Sequence, residues 1–179
     1  MSGPEAGLVD AAGTHHARAG SDARIISLVP SVTELVCELG LAGQLVGRTG
    51  FCIHPREVVR RIRKVGGTKD VDLDKLRSLR PTHVILNIDE NRKEDAHALA
   101  EFVPGLIVTH PLSPLDNPVL YRLIGGIFGR EREAEALCER FKDAYEALRS
   151  ATHAFPNEHV LYLIWRNPWM TVSRDTYIS

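Results

Sequence analysis

Arg24-Ile25-Ile26-Ser27-Leu28-Val29-Pro30-Ser31-Val32-Thr33-Glu34-Leu35 is the stretch that decides the fold of this chain. Residues 25–29 form a short apolar, largely β-branched run, the kind that occupies the middle of a parallel sheet covered on both faces. Pro30 stops the strand. Ser31-Val32-Thr33-Glu34 then has the order of a capping box, with the Ser31 hydroxyl placed to accept the Glu34 amide and the Glu34 carboxylate placed to reach back. The spacing predicts a helix to residue 39 that Gly40 closes.

Working outward, residues 44–49 read as a second strand, followed by the loop Gly50-Phe51-Cys52-Ile53-His54 and a short basic helix from 55 to 61. Val65-Gly66-Gly67-Thr68 is a glycine-rich turn, and Asp72 caps a helix that runs to residue 79. A strand over 82–88, a helix over 91–102 and a strand over 106–109 follow. Strand and helix alternate across this stretch, which predicts a parallel sheet flanked by helices. Ligands of such sheets sit beyond the carboxyl ends of the strands, here Pro30-Ser31, residues 50–54 and Asp89-Glu90.

The pattern changes after Asp116. Residues 117–128 are helical, and over 130–152 Ala134, Leu137, Phe141, Tyr145 and Leu148 recur three or four apart. One helix of about 35 Å results, longer than a crossover needs and suited to tying two lobes together. A strand over 159–164 and the aromatic turn Trp165-Arg166-Asn167-Pro168-Trp169 lead into Met170-Thr171-Val172. A strand, a turn and the beginning of another element cannot bury a core alone. The expected architecture is therefore α/β: a parallel-sheet N-terminal lobe with flanking helices over 24–115, a helical connection with a long bridging helix over 116–155, and a partial second α/β lobe over 156–179. Residues 1–23, rich in Gly, Ala and His, are expected to be a disordered leader.

Composition narrows the function. The 179 residues are 44% hydrophobic and carry 22 Lys plus Arg against 23 Asp plus Glu, a net charge of -1 that offers no bulk basic field to nucleic acid. Apolar runs fall well short of the roughly 18 residues a membrane-spanning helix needs. Cys37, Cys52 and Cys138 lie far apart, so neither a disulfide framework nor a zinc knuckle is indicated. The first Lys or Arg is Arg18 and Asp10 interrupts the mildly apolar start, so no export signal is read here.

Three groups of side chains carry chemistry. Cys52 and His54 flank one residue, a spacing open to three readings: packed or pocket-lining groups, ligands of a metal, or a thiolate with its base. Trp165, Arg166, Trp169 and Arg174 offer flat apolar faces and guanidinium donors to a large planar or anionic ligand, or else a core tryptophan with solvated arginines. Arg56, Arg60, Arg61, Arg63 and Lys64 read as a solvated helix face, with a docking patch as the second reading.

The ordered stretch from Arg24 to Leu35 resembles the opening of the class III substrate-binding proteins of ABC importers, receptors for cobalamin, haem or iron-siderophores. The resemblance continues through Val65-Gly66-Gly67-Thr68, Val71-Asp72-Leu73-Asp74-Lys75-Leu76 and Leu79-Arg80-Pro81-Thr82-His83-Val84-Ile85-Leu86, and again through Tyr162-Leu163-Ile164-Trp165-Arg166 and Trp169-Met170-Thr171-Val172. The cobalamin-binding branch is the most similar. That resemblance implies a binding protein and no enzyme: two α/β lobes bridged by one rigid helix, no intrinsic cofactor, and a metal chelate held in the cleft as transported ligand. It implies ligand contacts from Ser31, Phe51, Cys52 and His54 in the first lobe and from Trp165, Arg166 and Trp169 opposite. It also places Glu34 in the segment that presents acidic residues to arginines of the permease, beside its capping role. A monomer in the periplasm is expected on this reading. The alternative is a cytoplasmic metal-handling protein or enzyme on the same scaffold, built around Cys52 and His54.

Overall fold

A computed structural model describes residues 8–156, 158–172 and 177. The chain runs β1 (Ile25–Ser27), α1 (Pro30–Glu38), β2 (Leu45–Arg48), α2 (Arg56–Val59), β3 (Arg63–Lys64), α3 (Leu73–Ser78), β4 (His83–Asn87), α4 (Lys93–Ala100), β5 (Gly105–Thr109), α5 (Asn117–Ile127), α6 (Glu131–Thr152), β6 (Leu163–Arg166) and β7 (Trp169–Thr171). β1 to β5 form a parallel sheet in the order β3-β2-β1-β4-β5, so the chain winds outward from β1 in one direction and then resumes on its other side.

Every residue of β1 is buried, and its side chains alternate between two cores. Ile25 joins Val32, Leu35 and Val36 of α1, Ile85, Ile107, and Ile124 and Ile127 of α5. Ile26 faces the opposite way, into Val65, Leu76 of α3, Val84, and Leu99 and Val103 of the α4 layer. The sheet is therefore covered on both sides, which is why its central strands read as continuous apolar runs.

The start of α3 and the end of α1 follow local chemistry, and the start of α1 departs from it. The Asp72 carboxylate accepts the Lys75 amide at 2.9 Å, the expected cap of α3. After α1, Gly40 adopts φ +74°, its amide donates to the Cys37 carbonyl and the Leu41 amide donates to the Val36 carbonyl, a Schellman closure. The departure is the Ser31/Glu34 capping box, which does not form. Pro30 already has the φ of a first helical residue, so the helix begins there with Val29 as its cap and Ser31 falls inside the first turn.

Two further expectations are corrected. Arg63 and Lys64 belong to no helix face; they form β3, pairing with Gly47 and Arg48 at the sheet edge, where two charged residues discourage further strand addition. Residues 8–23 are ordered. Val9 bridges His15, the Ala11 amide donates to the Val108 carbonyl beyond the opposite edge, and the Ala19 amide donates to the Ile127 carbonyl. Leu8 lies against α5, where a Cβ at Gly126 would collide with it. The physical reason is Asp10: its fully buried carboxylate accepts amides of Ala12, Thr14 and Val108 at 2.9 Å each and pairs with His16 Nε2 at 3.0 Å.

α5 and α6 pack closely because Gly125 leaves no Cβ between Ala134 and the α5 backbone. At 22 residues α6 extends about 33 Å. Only Ala134 and Cys138 of it are buried, and its outer half carries Phe141 stacked on Tyr145 with centroids 5.8 Å apart. β6 and β7 form an antiparallel hairpin, exposed along its whole length.

Burial pushes the Asp10 carboxyl up, but the Val108 amide, His16 and the Thr14 and Ala12 amides outweigh it and hold the pKa below the ordinary 3.8. Its contribution to stability is therefore present above about pH 3.8 and is lost as pH falls through the depressed folded value. Asp10→Ala, which strands three amides, is expected to cost about 2 kcal/mol at neutral pH, read from the urea midpoint, and to expose the 8–23 segment to proteolysis. An unchanged midpoint would show that this segment is not held as described.

Candidate functional site

The strand order reverses between β1 and β4, and crossovers leave that point in opposite directions, so a crevice opens beyond the carboxyl ends of the two strands. A cleft of about 850 Å³ lies there, within the range of about 300–1,000 Å³ typical of small-molecule sites. Its wall on one side is a face of α1, with Ser31, Glu34, Leu35 and Glu38; on the other it is Leu120 and Tyr121 of α5 with Leu137 of α6. Asp89, Glu90 and His110 form the floor from the segments after β4 and β5.

Buried amides of two asparagines shape that floor. Asn87 Oδ1 accepts the Asp89 amide at 2.8 Å and the Glu90 amide at 3.2 Å, turning the chain just past β4. Asn91 Oδ1 accepts the Asn87 amide at 2.9 Å, and its Nδ2 donates to the Thr68 carbonyl at 2.9 Å, tying this turn to the glycine-rich one. Lys69 Nζ adds a 2.7 Å bond to the Asp89 carbonyl. In the segment between β5 and α5, the Asp116 carboxylate accepts the amides of Leu112 and Ser113 at 2.9 and 2.8 Å and thereby sets Leu112 at the cleft mouth. Neither asparagine nor the segment after β5 is singled out by spacing; a polar residue ending an apolar strand is the signal that would have found Asn87.

The cleft combines an acidic lining with apolar wall residues. Glu34, Glu38, Asp89 and Glu90 line it, Asp89 lies 3.4 Å from His110 Nε2, and Glu38 reaches Arg140 Nη1 at 3.4 Å. Burial is the main influence on Glu90 and pushes its pKa up; Lys69 opposes and Asp89 adds to the rise. Burial likewise raises the Tyr121 phenol, which stays protonated and available as a donor.

The expected contact residues divide among three places. Ser31 and Glu34 line the cleft. Cys52 and His54 line a separate recess of about 380 Å³ beyond β2 and β3. Phe51, 63% exposed, lines neither cavity and lies against Gly67. Trp165, Arg166 and Trp169 stand exposed on the β6–β7 hairpin, with Trp165 Nε1 donating to the Asn167 carbonyl at 3.1 Å; from beyond that hairpin it is Val172 and Tyr177 that line the cleft. Arg174 lies outside the described residues.

Cys52 has a structural role. Its Sγ is fully buried, 3.1 Å from Thr33 Oγ1 on α1 and 3.2 Å from Thr49 Oγ1 past β2, which pins the loop to the helix. No group of three His, Cys, Asp or Glu side chains able to hold a metal occurs among the described residues. The alternative built on a Cys52 and His54 centre is therefore not supported: one partner is sealed under two hydroxyls and the other is exposed.

Residues 25–179 match the family described as Periplasmic binding protein, and the chain belongs to that family. Over 164 residues it is 30% identical to an uncharacterized ABC transporter substrate-binding lipoprotein, YvrC of Bacillus subtilis strain 168, a match that covers 87% of this chain and 51% of that protein. It is 22% identical over 161 residues to the vitamin B12-binding protein of Pectobacterium atrosepticum, with 87% and 57% covered. Among solved structures, the apo periplasmic heme-binding protein RhuT of Roseiflexus sp. RS-1 shares the fold with a TM-score of 0.78 at 23% identity, covering 88% of this chain and 62% of that one. The chain spans about half the length of the curated relatives it matches. No helix among the described residues is long and apolar enough to cross a membrane.

A thiol reagent distinguishes the structural Cys52 from a reactive one. Native Cys52 is expected to label at least about tenfold more slowly than in denaturant, read by mass spectrometry of the 49–56 peptide, because reaction needs an exposed thiolate. Fast native labelling at Cys52 would contradict its placement.

Proposed function

We propose that this chain is the ligand-binding portion of a solute receptor that takes cobalamin, or a related metal chelate such as haem or an iron-siderophore, and delivers it to the permease of an ABC importer. The chelate is bound without chemistry and no intrinsic cofactor takes part. The observation that carries the reading is the cleft at the switch point of the parallel sheet, with Leu35, Leu120 and Leu137 on its walls, Leu112 at its mouth and Tyr121 as an aromatic edge. A flat, broad ligand gains most of its affinity from such contact area, at about 25 cal/mol per Å² before ordering costs.

Charge favours cobalamin over the other chelates. Four carboxylates face the cleft, and among the described residues that line it only His110 carries a basic group. Haem brings two propionates and many siderophores bring carboxylates, so both meet like charge in a partly desolvated space. Cyanocobalamin is neutral overall and offers peripheral amides that suit carboxylate acceptors. The B12-binding relative supports the same choice. Glu34, exposed on α1, is the residue we assign to permease docking, and the exposed indoles of Trp165 and Trp169 are assigned to the side of the ligand away from the sheet. Residence outside the cytoplasmic membrane and a monomeric state complete the proposal.

Equilibrium dialysis of the chain against cyanocobalamin, haemin and a ferric polycarboxylate tests it. Saturable binding is expected for cyanocobalamin, weaker binding for the two anionic chelates. Tyr121→Ala is expected to raise Kd about tenfold, and Ser31→Trp, at an exposed position facing the cleft, to abolish binding without unfolding the chain. Absence of saturable binding to all three, or equal affinity in Ser31→Trp, would overturn it.

A further inference from the structure

The second cavity has a chemistry of its own. It opens beyond the carboxyl ends of β2 and β3, encloses about 380 Å³, and shares no lining residue with the cleft. Arg48, His54, Arg56, Arg60 and Lys64 surround it, Cys52, Ile53 and Val59 supply its apolar lining, and no acidic residue lines it. Glu57, the one acidic neighbour on α2, is turned to Arg60 at 2.7 Å with both side chains more than half exposed.

Arg48 is the decisive residue. It is 5% exposed, with Nε and Nη1 donating to the carbonyls of Val59 and Thr49 at 3.0 Å each. Nη2 donates to no acceptor among the described residues, and Arg48 forms no ion pair with any of them. Two carbonyl dipoles orient the guanidinium, and its positive charge has no carboxylate partner among the described residues. Three further cationic side chains, Arg56 and Arg60 at the two ends of α2 and Lys64 of β3, line the same space, and of these Arg60 is paired with Glu57.

We propose that this recess is an anion site that takes a small oxyanion carrying two or more negative charges, as a phosphate or a compact polycarboxylate. Arg48 Nη2, the one guanidinium nitrogen without an acceptor, is held ready to donate to an oxygen of such a group, while Arg56, Arg60 and Lys64 close around the remaining charge. His54, at the rim, supplies a further ring nitrogen as donor. The site is independent of the cleft, so it stands whether or not the chain carries cobalamin.

The full chain at low ionic strength, titrated separately with inorganic phosphate and with citrate by calorimetry and followed by backbone amide NMR, tests the assignment. Saturable binding with a Kd at or below about 1 mM is expected for one or both, with amide shifts clustered over 48–64 and affinity falling as NaCl is added. Tighter citrate than phosphate assigns a polycarboxylate, and the reverse assigns a phosphate. Arg56 and Lys64 are exposed, so the double variant Arg56→Ala/Lys64→Ala keeps the fold and is expected to weaken binding about tenfold or more, whereas Arg48→Met tests the buried charge itself. No saturable binding of either anion up to about 10 mM, an unchanged Kd in the double variant, or shifts confined to the cleft would overturn the proposal.

Discussion

The rest of the molecule depends on β1 being paired in parallel on both of its sides. Three residues, Ile25, Ile26 and Ser27, are aligned with β2 along one edge and with His83, Val84 and Ile85 of β4 along the other. Parallel neighbours require crossovers, and right-handed crossovers on both sides of one strand place helices on both faces of the sheet. Hence Ile25 and Ile26, adjacent in sequence, belong to different cores. The same double pairing leaves a crevice where the two windings part, and the cleft sits in it.

That origin explains which residues form the site. Groups at the carboxyl ends of β1, β4 and β5 converge because their strands are fixed in register, from Ile85↔Ile107 to Asn87↔Thr109. Their loops need only short polar staples, such as Asn87 on the Asp89 and Glu90 amides, to present carboxylates to the opening. β2 and β3 end on the far side of α1, so their loops serve a different space, lined by cations. One sheet thus presents two spaces of opposite charge, separated by α1 and by the Thr33, Cys52 and Thr49 contact beneath it.

Much of this was legible in the sequence. The apolar runs of β1, β4 and β5 and the Asp72 cap carry their structure locally, since burial on both faces and a side-chain acceptor at an N-cap each leave a plain pattern. What was not legible depends on partners distant in sequence. Asp10 looks like a break in an apolar stretch, yet it orders residues 8–23 by accepting the Val108 amide from β5. Arg63 and Lys64 have no strand pattern because an edge strand of two residues is defined by its neighbour alone. Pro30 and Ser31 competed for the helix start, and the fixed φ of proline prevailed over a capping hydroxyl. Of the strand-end residues, Ser31, Asp89 and Glu90 line the cleft and Cys52 and His54 line the other recess; the leucines and the tyrosine of the cleft carry no chemical signature that spacing would mark.

The proposed receptor function requires ligand to enter at the β1/β4 switch point. Backbone hydrogen exchange of the chain with and without saturating cyanocobalamin tests it most directly. Added protection is expected over residues 29–38, 87–91 and 109–121, with residues 48–64 unchanged. Protection confined to 48–64 or to the β6–β7 hairpin would contradict the account.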